Sequence, residues 1–107
     1  MSVRTVKPGE VIAKPSAAVW VLEFRWVDWL QQIDAEAEIA SSTFDISEGD
    51  GDGGLTKDNP SVVTGNLKTR VRISGGTRGK KYKLANTVVT DESPTQTGYE
   101  YVEVLIT

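Results

Sequence analysis

The 107-residue chain contains no cysteine and no histidine. Without cysteine there is no disulfide, no thiolate nucleophile and no sulfur-ligated zinc or iron–sulfur site. Without histidine the usual general base is missing, as are the Ser-His-Asp triad and most transition-metal sites. Catalysis would have to rest on Asp, Glu, Lys or Tyr, so the expectation is a non-enzymatic protein with no cofactor and no metal. The longest mostly apolar run, Ala17–Leu22, is far too short to cross a bilayer, so no membrane is expected among the partners. No apolar stretch follows Met1–Arg4, which predicts no secretory signal and synthesis in a reducing cytoplasm, or in a particle assembled there.

What is present is one small domain's worth of core. Hydrophobic residues make up 38% of the chain and include 3 Trp, 3 Tyr and 2 Phe, enough to anchor a single core at this length. Residues 1–18 carry Pro8, Gly9 and Pro15 and no helical periodicity, so they read as an extended N-terminal arm or edge strand. Residues 19–107 read as the β-sandwich domain. In Val19–Trp26 the large residues Trp20, Leu22, Phe24 and Trp26 alternate with Val19, Val21, Glu23 and Arg25, as in a half-buried strand. Asp28-Trp29-Leu30 breaks that alternation and reads as a tight turn plugging one end of the core, with a short helix over residues 30–40 as the alternative.

Ala37–Ile46 predicts a second strand whose apolar points are Ile39, Phe44 and Ile46. Ile39 and Phe44 have opposite parity, which calls for a bulge in Ser41-Ser42-Thr43. Glu48–Gly54, EGDGDGG, is too rich in glycine for a regular element and reads as a loop. Strand signal returns at Val62: Leu67, Thr69, Val71 and Ile73 alternate with Lys68, Arg70, Arg72 and Ser74. Ser74–Gly79 is turn chemistry. A strand over about Lys80–Thr90 places Tyr82, Leu84 and Val88 on one face, and Asp91–Thr97 turns the chain again. Tyr99–Ile106 points Val102, Val104 and Ile106 one way. Turn signals roughly every ten residues predict an all-β fold, a single antiparallel sandwich of about six to eight strands, immunoglobulin-like by preference.

Three surface features are candidates for function. Glu48, Asp50 and Asp52 resemble part of a calcium loop, but the twelfth position is Asn59 counted from Glu48 and Ser61 counted from Asp50. Neither supplies the bidentate carboxylate, so the loop reads as a solvated acidic turn. Residues 68–83, read as a hairpin, hold Lys68, Arg70, Arg72, Arg78, Lys80, Lys81 and Lys83 with no acid. If the two strands pair across Gly75-Gly76, much of that charge falls on one face and a phosphate backbone is a conceivable partner. Against nucleic acid stand the net charge of −3 and the single aromatic of the segment, Tyr82, on its apolar side. Residues 28–58 are strongly acidic, with Lys57 as their one base, so acid-to-base self-association into a ring competes with two merely solvated faces. Arg70, Arg72, Arg78, Lys80, Lys81, Lys83, Trp29, Asp50 and Asp52 are therefore the interface candidates. Reversing Arg70 and Arg72 to Glu is expected to leave the fold intact and weaken assembly.

Four segments together resemble a known family. Trp26-Val27-Asp28-Trp29-Leu30 is similar to its W-x-D/S-W-L segment, and Ile39-Ala40-Ser41-Ser42-Thr43-Phe44 to its T-I-x-S-S-x-W. Arg72–Tyr82 is similar to its S-G-G-T-x-G-x-x-Y hairpin, and Asn86-Thr87-Val88-Val89-Thr90 to the N-x-h-x-T that follows. The family comprises small structural proteins of tailed bacteriophages described as fiber-tail adaptors, and the resemblance covers about residues 8–107. Phe44 replaces the usual Trp, the acidic loop is longer, and the last turn reads Asp91-Glu92-Ser93-Pro94. The resemblance implies an immunoglobulin-like sandwich without enzyme activity, built into the virion in multiple copies and made in the cytoplasm of a bacterial host. Its partners would be other virion proteins of tail, neck, fibre or capsid. An adaptor at the neck or tail is the leading reading, and a capsid decoration protein clamping capsomers is the alternative.

Overall fold

A computed structural model of the chain describes residues 3–48, 54–63, 65–91 and 94–107. The order of elements is β1 (Val3–Val6), β2 (Val11–Lys14), β3 (Val19–Arg25), α1 (Val27–Ile33), β4 (Ile39–Glu48), β5 (Leu55–Val62), β6 (Lys68–Gly75), β7 (Lys81–Thr90) and β8 (Thr97–Ile106). Two four-stranded sheets pack as a sandwich: sheet I runs β1-β3-β6-β5 and sheet II β2-β8-β7-β4. Two four-stranded sheets packed face to face are consistent with an immunoglobulin-like arrangement.

Within each sheet the three later strands are antiparallel, but β1 pairs parallel with β3 and β2 parallel with β8. The physical reason is the Lys7–Glu10 turn, closed by Glu10 N–H donating to the Lys7 carbonyl at 3.0 Å. It reverses the chain while carrying it from one sheet edge to the other, so neither edge strand is tied to its neighbour by a hairpin. Both edge strands contribute to the interior through Val6, Ile12 and Lys14. The Lys14 ammonium is fully buried and donates to the carbonyls of Gly75 at 2.8 Å and Pro15 at 3.0 Å, while burial pushes its pKa down.

Alternation places the predicted core where the pattern puts it. Leu22, Phe24, Trp26, Ile39, Phe44, Val71, Ile73, Tyr82, Leu84, Val88, Val102, Val104 and Ile106 are all buried. Trp20 is different: it packs on the core from the rim, half-buried, with the Arg4 guanidinium 5.0 Å from its ring. Phe24 and Phe44 meet edge-to-face across the sandwich at 5.8 Å.

Three local expectations are corrected. The tight turn at Asp28-Trp29-Leu30 is a helix, α1, in which Val27, Leu30 and Ile33 recur at a spacing of three and Leu30 is fully buried. Asp28 lies in its first turn, where the helix dipole favours a carboxylate. The register shift of β4 falls between Ile39 and Ser41, at the strand's start and not within Ser41-Ser42-Thr43; it still lets Ile39 and Phe44 both face inward. Residues 55–61 are a strand that alternation could not show, because almost every side chain of this edge strand is exposed. A second shift, between Asp58 and Ser61, accommodates Asn59 at φ 50° and Pro60 without a ladder donor.

The segment 68–83 is not a hairpin. β6 belongs to sheet I and β7 to sheet II, so Ser74–Lys80 is a corner that carries the chain across the sandwich. Gly75 and Gly76 turn it at φ 74° and 105°, and a Cβ on Gly76 would lie 2.5 Å from Ile106 Cδ1. Thr77 N–H donates to Tyr82 Oη at 3.0 Å and fixes the exit into β7.

Candidate protein-interaction site

The corner divides the basic residues between opposite faces. Lys68, Arg70 and Arg72 project from the outer side of sheet I, opposite Arg25, Glu23 and Val21 of β3. Arg78 and Lys80 lie in the corner itself, and Lys81 and Lys83 on the outer side of sheet II. No single basic patch forms from them.

On sheet I's outer face, Arg70 and Arg72 are paired with acids of the same sheet. Arg70 Nε donates to Glu23 Oε1 at 3.0 Å, and Thr5 Oγ1 donates to Glu23 Oε2 at 3.2 Å, so both side-chain oxygens of Glu23, only 6% exposed, are hydrogen-bonded. Arg72 grips Asp58 in a fork, Nε to Oδ1 and Nη2 to Oδ2 both at 2.7 Å. That hydrogen-bonded pairing holds the Asp58 carboxyl below its ordinary range and raises the Arg72 guanidinium. Arg70→Glu would set a carboxylate against the buried Glu23, so its effect on stability is to be measured along with its effect on assembly.

Sheet II's outer face is of another character. Tyr99, Tyr101, Glu103 and Leu105 alternate with the inward Val102, Val104 and Ile106, and Val11 stands opposite Glu103 on β2. Val11 and Tyr99 are each 56% exposed. The two tyrosine rings lie 6.4 Å apart, and the Lys83 ammonium sits 4.4 Å from the Tyr101 ring and 5.9 Å from that of Tyr99. Lys81 pairs with Glu103 at 3.2 Å. Exposed tyrosines are of the kind enriched in protein interfaces.

A third feature lies at the helix end of the sandwich. Trp29 is half-buried, edge-to-face on Trp26 at 5.5 Å, and both rings close over Gly98, where a Cβ would lie 2.8 Å from each. Between α1 and the β1–β2 crossing opens a groove of about 480 Å³, walled by Val6, Pro8 and Trp29. Glu100 of β8 lines it from the core-facing side of the strand, in step with Gly98 and Val102. Burial pushes the Glu100 carboxyl up to about 7. The sequence reading passed over Glu100; its signal was a carboxylate at an inward position of an otherwise apolar series.

The motif residues of the family resemblance converge in the interior. Trp26 Nε1 donates to Asn86 Oδ1 at 2.9 Å and lies 3.3 Å from Thr69 Oγ1, which also donates to Asn86. Asn86 Nδ2 donates to Ser42 Oγ at 2.8 Å and to the Thr43 carbonyl at 2.9 Å. Trp26 comes from the first motif, Ser42 from the second and Asn86 from the fourth, so residues of three motifs meet in one hydrogen-bond network between the sheets. Asp50 and Asp52 lie outside the described residues, and among the described residues no cluster of acids suited to a metal occurs. No helix of the described chain is long and apolar enough to cross a membrane.

No curated protein matches this sequence. Among solved structures the fold is similar to the cysteine protease inhibitor EhICP2 of Entamoeba histolytica, with a TM-score of 0.58 over 98% of this chain and 95% of that one, at 4% identity. That likeness concerns the fold alone. The sequence matches the family described as podophage GP4 fiber-tail adaptor protein gp77 over residues 14–98. A match over that much of the sequence makes this chain a member of the podophage GP4 fiber-tail adaptor family.

Proposed function

We propose that the chain is a non-enzymatic adaptor that joins tail or fibre components to the phage particle, docking them on the outer face of sheet II. Family membership makes it a structural component of the virion that binds other virion proteins such as tail and fibre. The observation carrying the more specific reading is the contrast between the two sheets. Sheet I presents paired charges beside the exposed Val3 and Val19, whereas sheet II sets the half-exposed Tyr101 and the exposed Tyr99 among the aliphatic Val11 and Leu105. A face of that kind gains by being covered, while a face of matched ion pairs gains little.

Self-association in multiple copies belongs to the same proposal. Asp28, Asp34, Glu36, Glu38 and Asp91 gather at the helix end, beside Arg25 and Lys68, while Arg78 and Lys81 stand at the opposite end of the strands. Head-to-tail stacking would bring acid to base.

Replacing Tyr99 and Tyr101 together by Ser tests the docking face. The double variant should keep its thermal midpoint within a few degrees and be lost from purified particles, or support particles lacking fibres. Normal incorporation and fibre content would remove sheet II from the contact. The nucleic-acid alternative is checked in parallel, since binding through several Lys and Arg weakens steeply between low and moderate salt.

A further inference from the structure

We propose that the groove between α1 and the β1–β2 crossing receives an arginine or lysine side chain from a partner protein of the particle. The inference rests on the adaptor reading and names a contact distinct from the sheet II face.

The argument starts from an anomaly in β8. Its inward positions are Gly98, Glu100, Val102, Val104 and Ile106, and all but Glu100 suit an apolar core. A buried glutamate is normally paired, as Glu23 on the outer face of sheet I is by Arg70 and Thr5. Glu100 has no hydrogen bond or ion pair from any described side chain, although it is about half buried. Its surroundings supply no cation at hydrogen-bond distance: Lys7 on the turn after β1 and Arg25 at the end of β3 line the groove without bonding to it, and Asp28 of α1 adds a second negative charge.

The walls suit the stem of a long cationic side chain. The ring of Pro8, the methyl groups of Val6 and the indole of Trp29 are apolar surfaces of the kind that aliphatic stems cover while their charged heads reach a carboxylate. An indole beside the head adds attraction for a cation. An acidic or neutral side chain would leave the Glu100 charge uncompensated. Carboxylate and guanidinium would instead form a charge-assisted, two-pronged pair. The elevated Glu100 pKa is what an unpaired, partly desolvated carboxylate shows, and a bound cation would bring it down.

The test uses the whole chain and a defined probe, the peptide acetyl-Gly-Arg-Gly-amide, with acetyl-Gly-Gln-Gly-amide and matched sodium chloride as controls. Binding is read from the Trp29 indole N–H resonance, and the Glu100 titration from its side-chain carboxyl carbon. The arginine peptide should move the indole resonance saturably, and at ten times its Kd lower the Glu100 midpoint by about one pH unit. Glu100→Gln should weaken it at least fivefold, whereas Asp28→Asn at the rim should change it less than twofold. Equal binding of the two peptides, reproduction of the shifts by salt, or indifference to Glu100→Gln would overturn the proposal. In particles, Glu100→Gln should lower the bound copies or the fibre content, and unchanged particles would overturn the partner contact. Absence of the wild-type chain from purified particles would instead overturn the adaptor reading and leave the peptide result standing.

Discussion

Asn86 is the position at which a single substitution should cost most for its size. Its carboxamide accepts from Trp26 Nε1 and Thr69 Oγ1, and donates to Ser42 Oγ and the Thr43 carbonyl. Trp26, Thr69 and Asn86 are all buried, and the network spans both sheets, because Thr69 lies on β6 and Asn86 on β7. Asn86→Ala strips these partners together. Ser42 is half-buried and the Thr43 carbonyl belongs to edge strand β4, so water can replace the amide at both. Trp26 Nε1 keeps only its longer bond to Thr69 Oγ1 at 3.3 Å, and the buried Thr69 hydroxyl proton loses its acceptor. One buried group left wanting at about 1–2 kcal/mol, a weakened indole bond and the small void make a loss of about 3 kcal/mol.

For a domain of this length that is a large share of a total on the order of 5–15 kcal/mol. Urea denaturation followed by tryptophan fluorescence should show the midpoint falling by about 2 M at unchanged slope. Asn86→Asp keeps the acceptors but buries a charge, so its stability should improve as the pH is lowered and the carboxyl is neutralised. A double-mutant cycle with Trp26→Phe should return a coupling of about 1–3 kcal/mol. A cost below about 1 kcal/mol for Asn86→Ala, or zero coupling, would refute the assignment of this network as the link between the sheets.

Gly98→Ala should destabilise by about 1–3 kcal/mol and red-shift tryptophan emission, because the added methyl collides with Trp26 and Trp29 and only the half-buried Trp29 can yield; unchanged emission would contradict this. Arg70→Glu should cost about 2 kcal/mol, allowing for the exposure of Arg70, through its repulsion of buried Glu23. Arg72→Glu, on an exposed pair, should leave the denaturation midpoint nearly unchanged, and equal effects of the two reversals would be the contrary result. Glu100 should make the protein more stable in mild acid. Its folded pKa of about 7 stands above the ordinary 4.5, so its contribution is fully present below about 4.5 and is lost as the pH rises through 7. The difference should be about 1 kcal/mol after solvent screening, and Glu100→Gln should flatten it over that window; an unchanged pH profile in that variant would exclude Glu100 as its source.

The strands that could be read from the residues are those with one buried face. In Val19–Arg25, Lys68–Gly75 and Lys81–Thr90 the alternation of large apolar with polar residues is a local property, and it survives whatever the strand pairs with. β5 escaped because an exposed edge strand has no apolar series to show. α1 escaped because seven residues are too few for helical periodicity to stand out, and only the packing of Leu30 and Trp29 on the sandwich stabilises it.

Composition and alternation thus determined the β class, the core residues and the lack of histidine and cysteine chemistry. Tertiary structure decided which charges act together. The run from Lys68 to Lys83 is continuous in the chain, yet the Gly75-Gly76 corner sends its halves to opposite faces, and partners from β3, β5 and β8 neutralise Arg70, Arg72 and Lys81. Glu100 runs the other way. Its inward place in the β8 series is visible in the chain, but it becomes a candidate site only because α1 and the β1–β2 crossing, from remote parts of the sequence, form walls around it. Spacing along the chain sets which side of a strand a residue faces, whereas electrostatic environment depends on neighbours in space, and those exist only once the sheets have packed.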